Sequence, residues 1–324
     1  MLLQEQLSRD GREVEVINAG YPAYGSHRVL EIARRAVKFQ PDLLVVYMGH
    51  NEFLEDVFYD PEGTVARWER AGEWARQVRV VNGLRQIVGT PRTGVRNLLP
   101  AQFTGNMDFP LIHSDGETRL RLELLAEHVR GIVAAARSVK ADVVFIPAAV
   151  NLLWPPGDSL PGPGVDVTAS RWVELQQRAE KQFELRQWQP LLETCRELEK
   201  LDDRYAQFQY WKGVALLGTG DVEAGRASLV LANRQDYRGD RINPDVAEAI
   251  AETAREAGGQ VLRVERLFGS YLVEDFGRLA DGQARLWFLD HCHPSQEGHE
   301  LIATAIAASL AKRTTPSPTG SSGN

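Results

Sequence analysis

The densest group of reactive side chains in this sequence is Asp290-His291-Cys292-His293-Pro294, followed closely by Glu297-Gly298-His299. An Asp three residues before a His can turn back in a tight loop and accept the His Nδ1 hydrogen. That fixes the tautomer and leaves Nε2 free as a general base, the Asp–His part of a nucleophilic triad. A metal is a second reading, because Asp290, His291, Cys292, His293 and His299 are all ligand types. Adjacent residues rarely converge on one ion, however, and no second ligand pair stands elsewhere in the chain, so no metal is assigned. A solvated histidine cluster without chemistry is the third.

Two loops follow inferred strands, where open α/β sheets bind their ligands. Asn18-Ala19-Gly20 ends the first. Lacking a Cβ, Gly20 lets its backbone approach a substrate and direct an N–H at a developing oxyanion. Gly49-His50-Asn51-Glu52 ends the next, and the Asn51 amide could donate to the same oxygen. Taken singly, Gly20 would merely permit a turn and Asn51 would cap a helix.

The elements that must position these groups follow from pattern. The chain has 324 residues, 43% apolar and 25% charged, with a net charge of −7. It is long enough for about two domains and carries no basic field to hold nucleic acid. Cys195 and Cys292 are too few for a disulfide framework and leave the redox compartment open. No apolar run reaches the roughly 20 residues of a membrane span, and no signal peptide is expected in the chain as written.

Val14–Asn18 alternates and predicts a strand, with a helix from His27 to Phe39 after it. The continuous apolar run Leu43–Met48 predicts a parallel strand covered on both faces. Helical spacing from Glu117 through His128 leads to a strand at Asp142–Pro147. A helix begins at Asn243-Pro244, ends at Gly258-Gly259 and precedes a strand over Gln260–Val264. Gln296–Ala311 is the closing helix. This alternation predicts a parallel α/β sheet.

Two insertions interrupt it. Residues 54–116 lack strand alternation and read as a lid-like segment of short helices and loops. In residues 172–239 a shift of 34 residues puts Ala179 on Gly213, Trp188 on Val222, Cys195 on Leu229 and Leu198 on Ala232, which resembles the tetratricopeptide helix hairpin. Residues 313–324, rich in Ser, Thr, Pro and Gly, read as a disordered tail.

Asn18-Ala19-Gly20, Gly49-His50-Asn51-Glu52 and Asp290-His291-Cys292-His293-Pro294, in this order, closely resemble the second, third and fifth motif blocks of the SGNH (GDSL-type) hydrolases. The resemblance implies a flavodoxin-like three-layer α/β/α sheet, here with an inserted all-helical repeat. It also implies ester hydrolysis through an acyl-serine, without metal or other cofactor. Carried over by motif, Asp290 and His293 are catalytic, Gly20 and Asn51 form the oxyanion hole, and Asn151 resembles a further residue often found there. The expected organisation is a hydrolase core over 1–171 and 240–312 interrupted by the helical insertion at 172–239.

The family's first block, the Gly-Asp-Ser turn carrying the nucleophile, is absent before Asn18, so the first strand is expected to be missing and the chain as given inactive. Ser26 is the nearest substitute serine, at a helix entrance where an N-cap role is the competing reading. The expected ligand is an ester-bearing small molecule, lipid or glycan. The alternatives are O-acyl transfer to a glycan at the same site, or a non-catalytic protein that binds a protein partner on its helical repeats.

Overall fold

The computed structural model describes residues 2–9, 13–53, 115–280 and 287–311. The lid-like insertion, apart from the last residues before Glu117, and the tail expected over 313–324 lie outside them. The elements are α1 (Leu2–Arg9), α2 (Ser26–Ala36), β1 (Leu43–Met48), α3 (Asp115–Ser138), β2 (Asp142–Pro147), α4 (Ser170–Glu184), α5 (Trp188–Glu199), α6 (Ala206–Gly218), α7 (Val222–Gln235), α8 (Pro244–Glu256), β3 (Gln260–Val261), α9 (Glu265–Ser270), α10 (Leu272–Ala280) and α11 (Gln296–Ala311).

Among the described residues the sheet has three parallel strands in the order β1-β2-β3, with Val46 opposite Phe145 and Phe145 opposite Val261. β2 is the middle strand. Its apolar run is explained by burial on both faces, since a strand between two helical layers has no solvent side on which to alternate. Val46, Met48, Val143 and Phe145 pack on one face against Leu30 of α2, Leu125, Val129 and Ile132 of α3, and Val246 and Ile250 of α8. Val144 and Ile146 pack on the other against Phe268, Phe288 and Ile302 and Ile306 of α11, with Leu3 of α1 joining them. Helices on both faces of a parallel sheet define the α/β class. α8 starts as its sequence dictates, with Asn243 Oδ1 accepting the Val246 N–H and proline in the first turn.

The strand expected over Val14–Asn18 does not form. These residues lie outside any ladder, and Ile17 is 73% exposed. The tie of the Val16 N–H to Gln4 Oε1 is a side-chain contact, not a strand partner. Alternation selects which side chains would face a core, but a strand exists only through a neighbour's backbone. On β1, Val45 and Tyr47 remain exposed, and among the described residues its outer edge pairs with no strand. The last strand is also shorter than its apolar run. Pairing is confined to Gln260–Val261, after which Leu262 still donates to the Phe145 carbonyl and the chain turns into α9.

Residues 170–235 form four consecutive helices with a core of their own, made of Trp172, Leu175, Ala179, Leu191, Cys195, Leu198, Phe208, Leu229 and Ala232. α4 packs on α5, α5 on α6 and α6 on α7. The small residues of the 34-residue shift lie where these helices approach. At Gly213 a Cβ would stand 2.7 Å from Leu229 Cγ and 3.0 Å from the Gly225 carbonyl oxygen, so any larger residue would force α6 and α7 apart.

Candidate active site

The loop 287–295 is shaped by its own sequence. Oδ1 of Asp290 accepts the backbone N–H groups of Cys292 and His293, both at 2.8 Å, which closes a tight turn. The other carboxylate oxygen, Oδ2, then stands 2.7 Å from His293 Nδ1. Phe288 bridges Pro294, Leu289 N–H donates to the His293 carbonyl, and Ser295 N–H to the Trp287 carbonyl. Ser295 Oγ caps α11 by accepting the Gly298 N–H. Gly298 is required by close approach, because a Cβ there would lie 2.4 Å from the Trp287 carbonyl oxygen. The loop and the start of the closing helix thus form one packed unit.

Electrostatics fit this geometry. Burial raises the Asp290 pKa, but hydrogen bonds from the His293 ring and the Cys292 and His293 backbones outweigh it and hold the carboxyl well below the usual carboxylate range. The Asp290 bond raises His293 above the ordinary histidine value against partial burial. With its ring 69% exposed, His293 is oriented on one nitrogen and open to solvent. That is the arrangement of a general base whose orienting acid stays ionised.

The oxyanion candidates are placed differently. Gly20 N–H donates to Asn18 Oδ1 at 2.9 Å, and among the described residues no hydrogen bond links Gly20 to the dyad. Asn51 Nδ2 donates to the Tyr24 carbonyl at 3.4 Å, joining the loop after β1 to the segment that leads into α2. Both donors therefore have protein acceptors in this conformation, and an oxyanion would have to displace them. Asn151 is buried behind the dyad loop. Its N–H donates to the His291 carbonyl and its Nδ2 to the Asp290 carbonyl, while its Oδ1 accepts from Leu153 N–H. These bonds hold the loop's backbone.

Ser26 is only 3% exposed and is committed elsewhere. Its Oγ stands 2.6 Å from Glu52 Oε2 and 2.8 Å from His128 Nδ1, and its N–H donates to Glu52 Oε1. The single hydroxyl proton goes to the carboxylate, the stronger acceptor, so His128 is the Nδ1–H tautomer donating to Oγ. In a triad the acid holds the histidine; here the carboxylate holds the serine, so the group lacks the acid–histidine–serine order of a triad. The N-cap expectation is corrected too, because Gly25 precedes the helix and Ser26 is its first residue. The cap comes from Glu52, which sits at the positive end of α2.

Sequence reasoning missed three supports. His50 accepts the Ile242 N–H on Nδ1 at 3.1 Å. Burial, then the neighbouring His291 and His293, lower its pKa to about 3 and keep it neutral. Arg241 and Asp236 form a buried ion pair at 2.8 Å, and Arg241 also donates to the Trp154 carbonyl beside Asn151. The third is the Glu52–Ser26–His128 group. Each joins residues far apart in the chain, apart from Arg241–Asp236, whose only sequence signal is an Asp and an Arg in an otherwise irregular segment.

Donor atoms of Asp290, His291 and Cys292 lie within 4.8 Å of one another. Asp290 is already engaged on both oxygens, and burial, reinforced by Asp290 and Asp240, pushes the Cys292 thiol well above its ordinary value. Thiolate ligation would have to overcome that shift. Among the described residues no helix is long and apolar enough to cross a membrane. Compared with family models, curated proteins and solved structures, the chain matches none.

Proposed function

We propose that this chain carries the base, orienting acid and oxyanion elements of an SGNH-type ester hydrolase, acting on an ester-bearing small molecule, lipid or glycan. The observation that carries the reading is the Asp290–His293 pair at 2.7 Å, with His293 open to solvent on a loop beside the sheet's α11 face. A hydroxyl placed against Nε2 would lose its proton to His293 as it attacks the ester carbonyl. The imidazolium would then return that proton to the leaving alcohol, and water would release the acyl group by the same relay. Gly20 and Asn51 would donate to the oxyanion after exchanging their present acceptors. Acyl transfer to a sugar hydroxyl differs only in the final acceptor.

Among the described residues no serine is hydrogen-bonded to His293, which favours a second reading. In it, α4–α7 bind a protein partner and the α/β part supports them. Turnover of p-nitrophenyl butyrate separates the two. The chain as given is expected to show none above a His293→Ala control. A version with a strand and Gly-Asp-Ser turn added before α1 is expected to gain turnover that His293→Ala abolishes. Gained turnover indifferent to His293 would defeat the hydrolase reading.

A further inference from the structure

A cavity of about 320 Å³ lies between the loop after β2, the α7 helix, the start of α8 and the α9–α10 segment. Asn151 borders it, but Gly20, Asn51, Asp290 and His293 do not line it. Its volume falls in the range of small-molecule sites. One wall is aromatic: Tyr271 lies against Trp287 with ring centroids 4.6 Å apart and the planes tilted by 34°, and Phe268 meets the Trp287 ring edge-on. Val230, Ile242 and Leu272 add aliphatic surface.

Seven charged side chains line the cavity, the buried carboxylate of Asp275 among them. Arg263 holds both oxygens of Glu248 and pairs with Glu265, and Arg234 is taken by Asp245. Arg226 and Arg266 also line the cavity, and neither guanidinium has a hydrogen-bonded or ion-paired partner among the described residues. Arg226 is half-buried with Nη2 against Gly269, where a Cβ would come within 2.8 Å of it. The Trp287 Nε1–H is buried and lacks an acceptor among the described residues. An apolar chamber with two uncommitted guanidinium groups and an unanswered N–H donor suits a ligand with one acceptor anion and a hydrocarbon body.

We propose that this cavity is a binding site for a small amphipathic carboxylate, its hydrocarbon part against Phe268, Tyr271 and Trp287 and its carboxylate on Arg226 and Arg266. The site does not depend on the hydrolase reading. Isothermal titration of the full chain with decanoate, decanol and decyltrimethylammonium tests it. Decanoate is expected to bind with a negative heat-capacity change, and the other two at least about ten-fold more weakly. Arg226→Gln with Arg266→Gln should weaken decanoate about ten-fold or more. Val230→Trp, checked for folding by circular dichroism, should block it, and His293→Ala should leave it unchanged. Absence of decanoate binding at millimolar concentration, equal binding of the uncharged or cationic probe, or indifference to the arginine pair would each overturn the proposal. Loss of binding in His293→Ala would assign the cavity to the catalytic centre instead.

Discussion

Asp290 divides its carboxylate between two tasks: one oxygen accepts the backbone of its own loop, and the other stands 2.7 Å from Nδ1 of His293. The first bond pair pre-sets the direction of the second, so the dyad costs little further ordering once the turn has closed. Asn151 and the Ser295 cap hold the same loop from outside.

Replacing Asp290 by Asn keeps the shape of the turn but removes the charge that raises the His293 pKa. The His293 pKa, followed by NMR titration, should fall toward or below the ordinary value of about 6.5. In any version with ester turnover, kcat should drop by about 10³–10⁴-fold, the scale seen when a triad acid loses its charge. An unchanged His293 titration would refute the dyad.

Stability should fall on mild acidification. His50 and His128 have folded pKa values lowered to about 3 and about 4, chiefly by burial. Groups depressed in the fold bind protons first in the unfolded chain, so their contribution is full above about pH 6.5 and is lost as pH falls toward 4. Each adds a slope of roughly 1.4 kcal/mol per pH unit within that window. Asp290 acts in the same direction below about pH 4. His293, raised in the fold, acts oppositely: its contribution is present below about pH 6.5 and is lost as pH climbs through its folded value. Urea midpoints at pH 7 and pH 5 check the sign, and His128→Gln should flatten the acid limb.

Gly298→Ala places a methyl 2.4 Å from the Trp287 carbonyl oxygen, which belongs to the backbone and cannot rotate away. Loop and helix start must separate, at a cost of about 1–3 kcal/mol. Thermal denaturation should show the loss, and the His293 titration should move with it because the displaced loop carries the dyad. A variant with wild-type melting and wild-type His293 would contradict the packing described.

Ser26→Ala should leave His293 titration and any serine-reagent labelling unchanged while destabilising the fold by about 1–3 kcal/mol, since Glu52 and His128 each lose a buried partner. Chemical denaturation measures this directly. Loss of labelling with full stability would restore Ser26 as a nucleophile.

Some of this was legible in the residues alone. Leu43–Met48 and Asp142–Pro147 form β1 and β2 at their apolar runs, although only β2 is covered on both faces, and Asn243-Pro244 starts α8 where its cap and proline stand. The Asp290–His293 bond was legible for the same reason: it is closed within four residues, by a side chain that turns back on its own backbone. Local sterics and local hydrogen bonds decide such features.

What tertiary structure alone decided depends on partners supplied from elsewhere in the chain. Val14–Asn18 has the alternation of a strand, yet without a ladder neighbour it stays outside the sheet. Ser26 stood at a helix entrance like any capping serine, until Glu52 and, 102 residues away, His128 closed over it. His50 is kept neutral by the protein packed around it, and Arg263 takes Glu248 and Glu265, while Arg226 and Arg266 have no hydrogen-bonded or ion-paired partner among the described residues. A residue's type sets which bonds and charges it can offer. Which of them are used, buried or left open is fixed by groups that only folding brings within a few ångströms, where desolvation and pairing outweigh local preference.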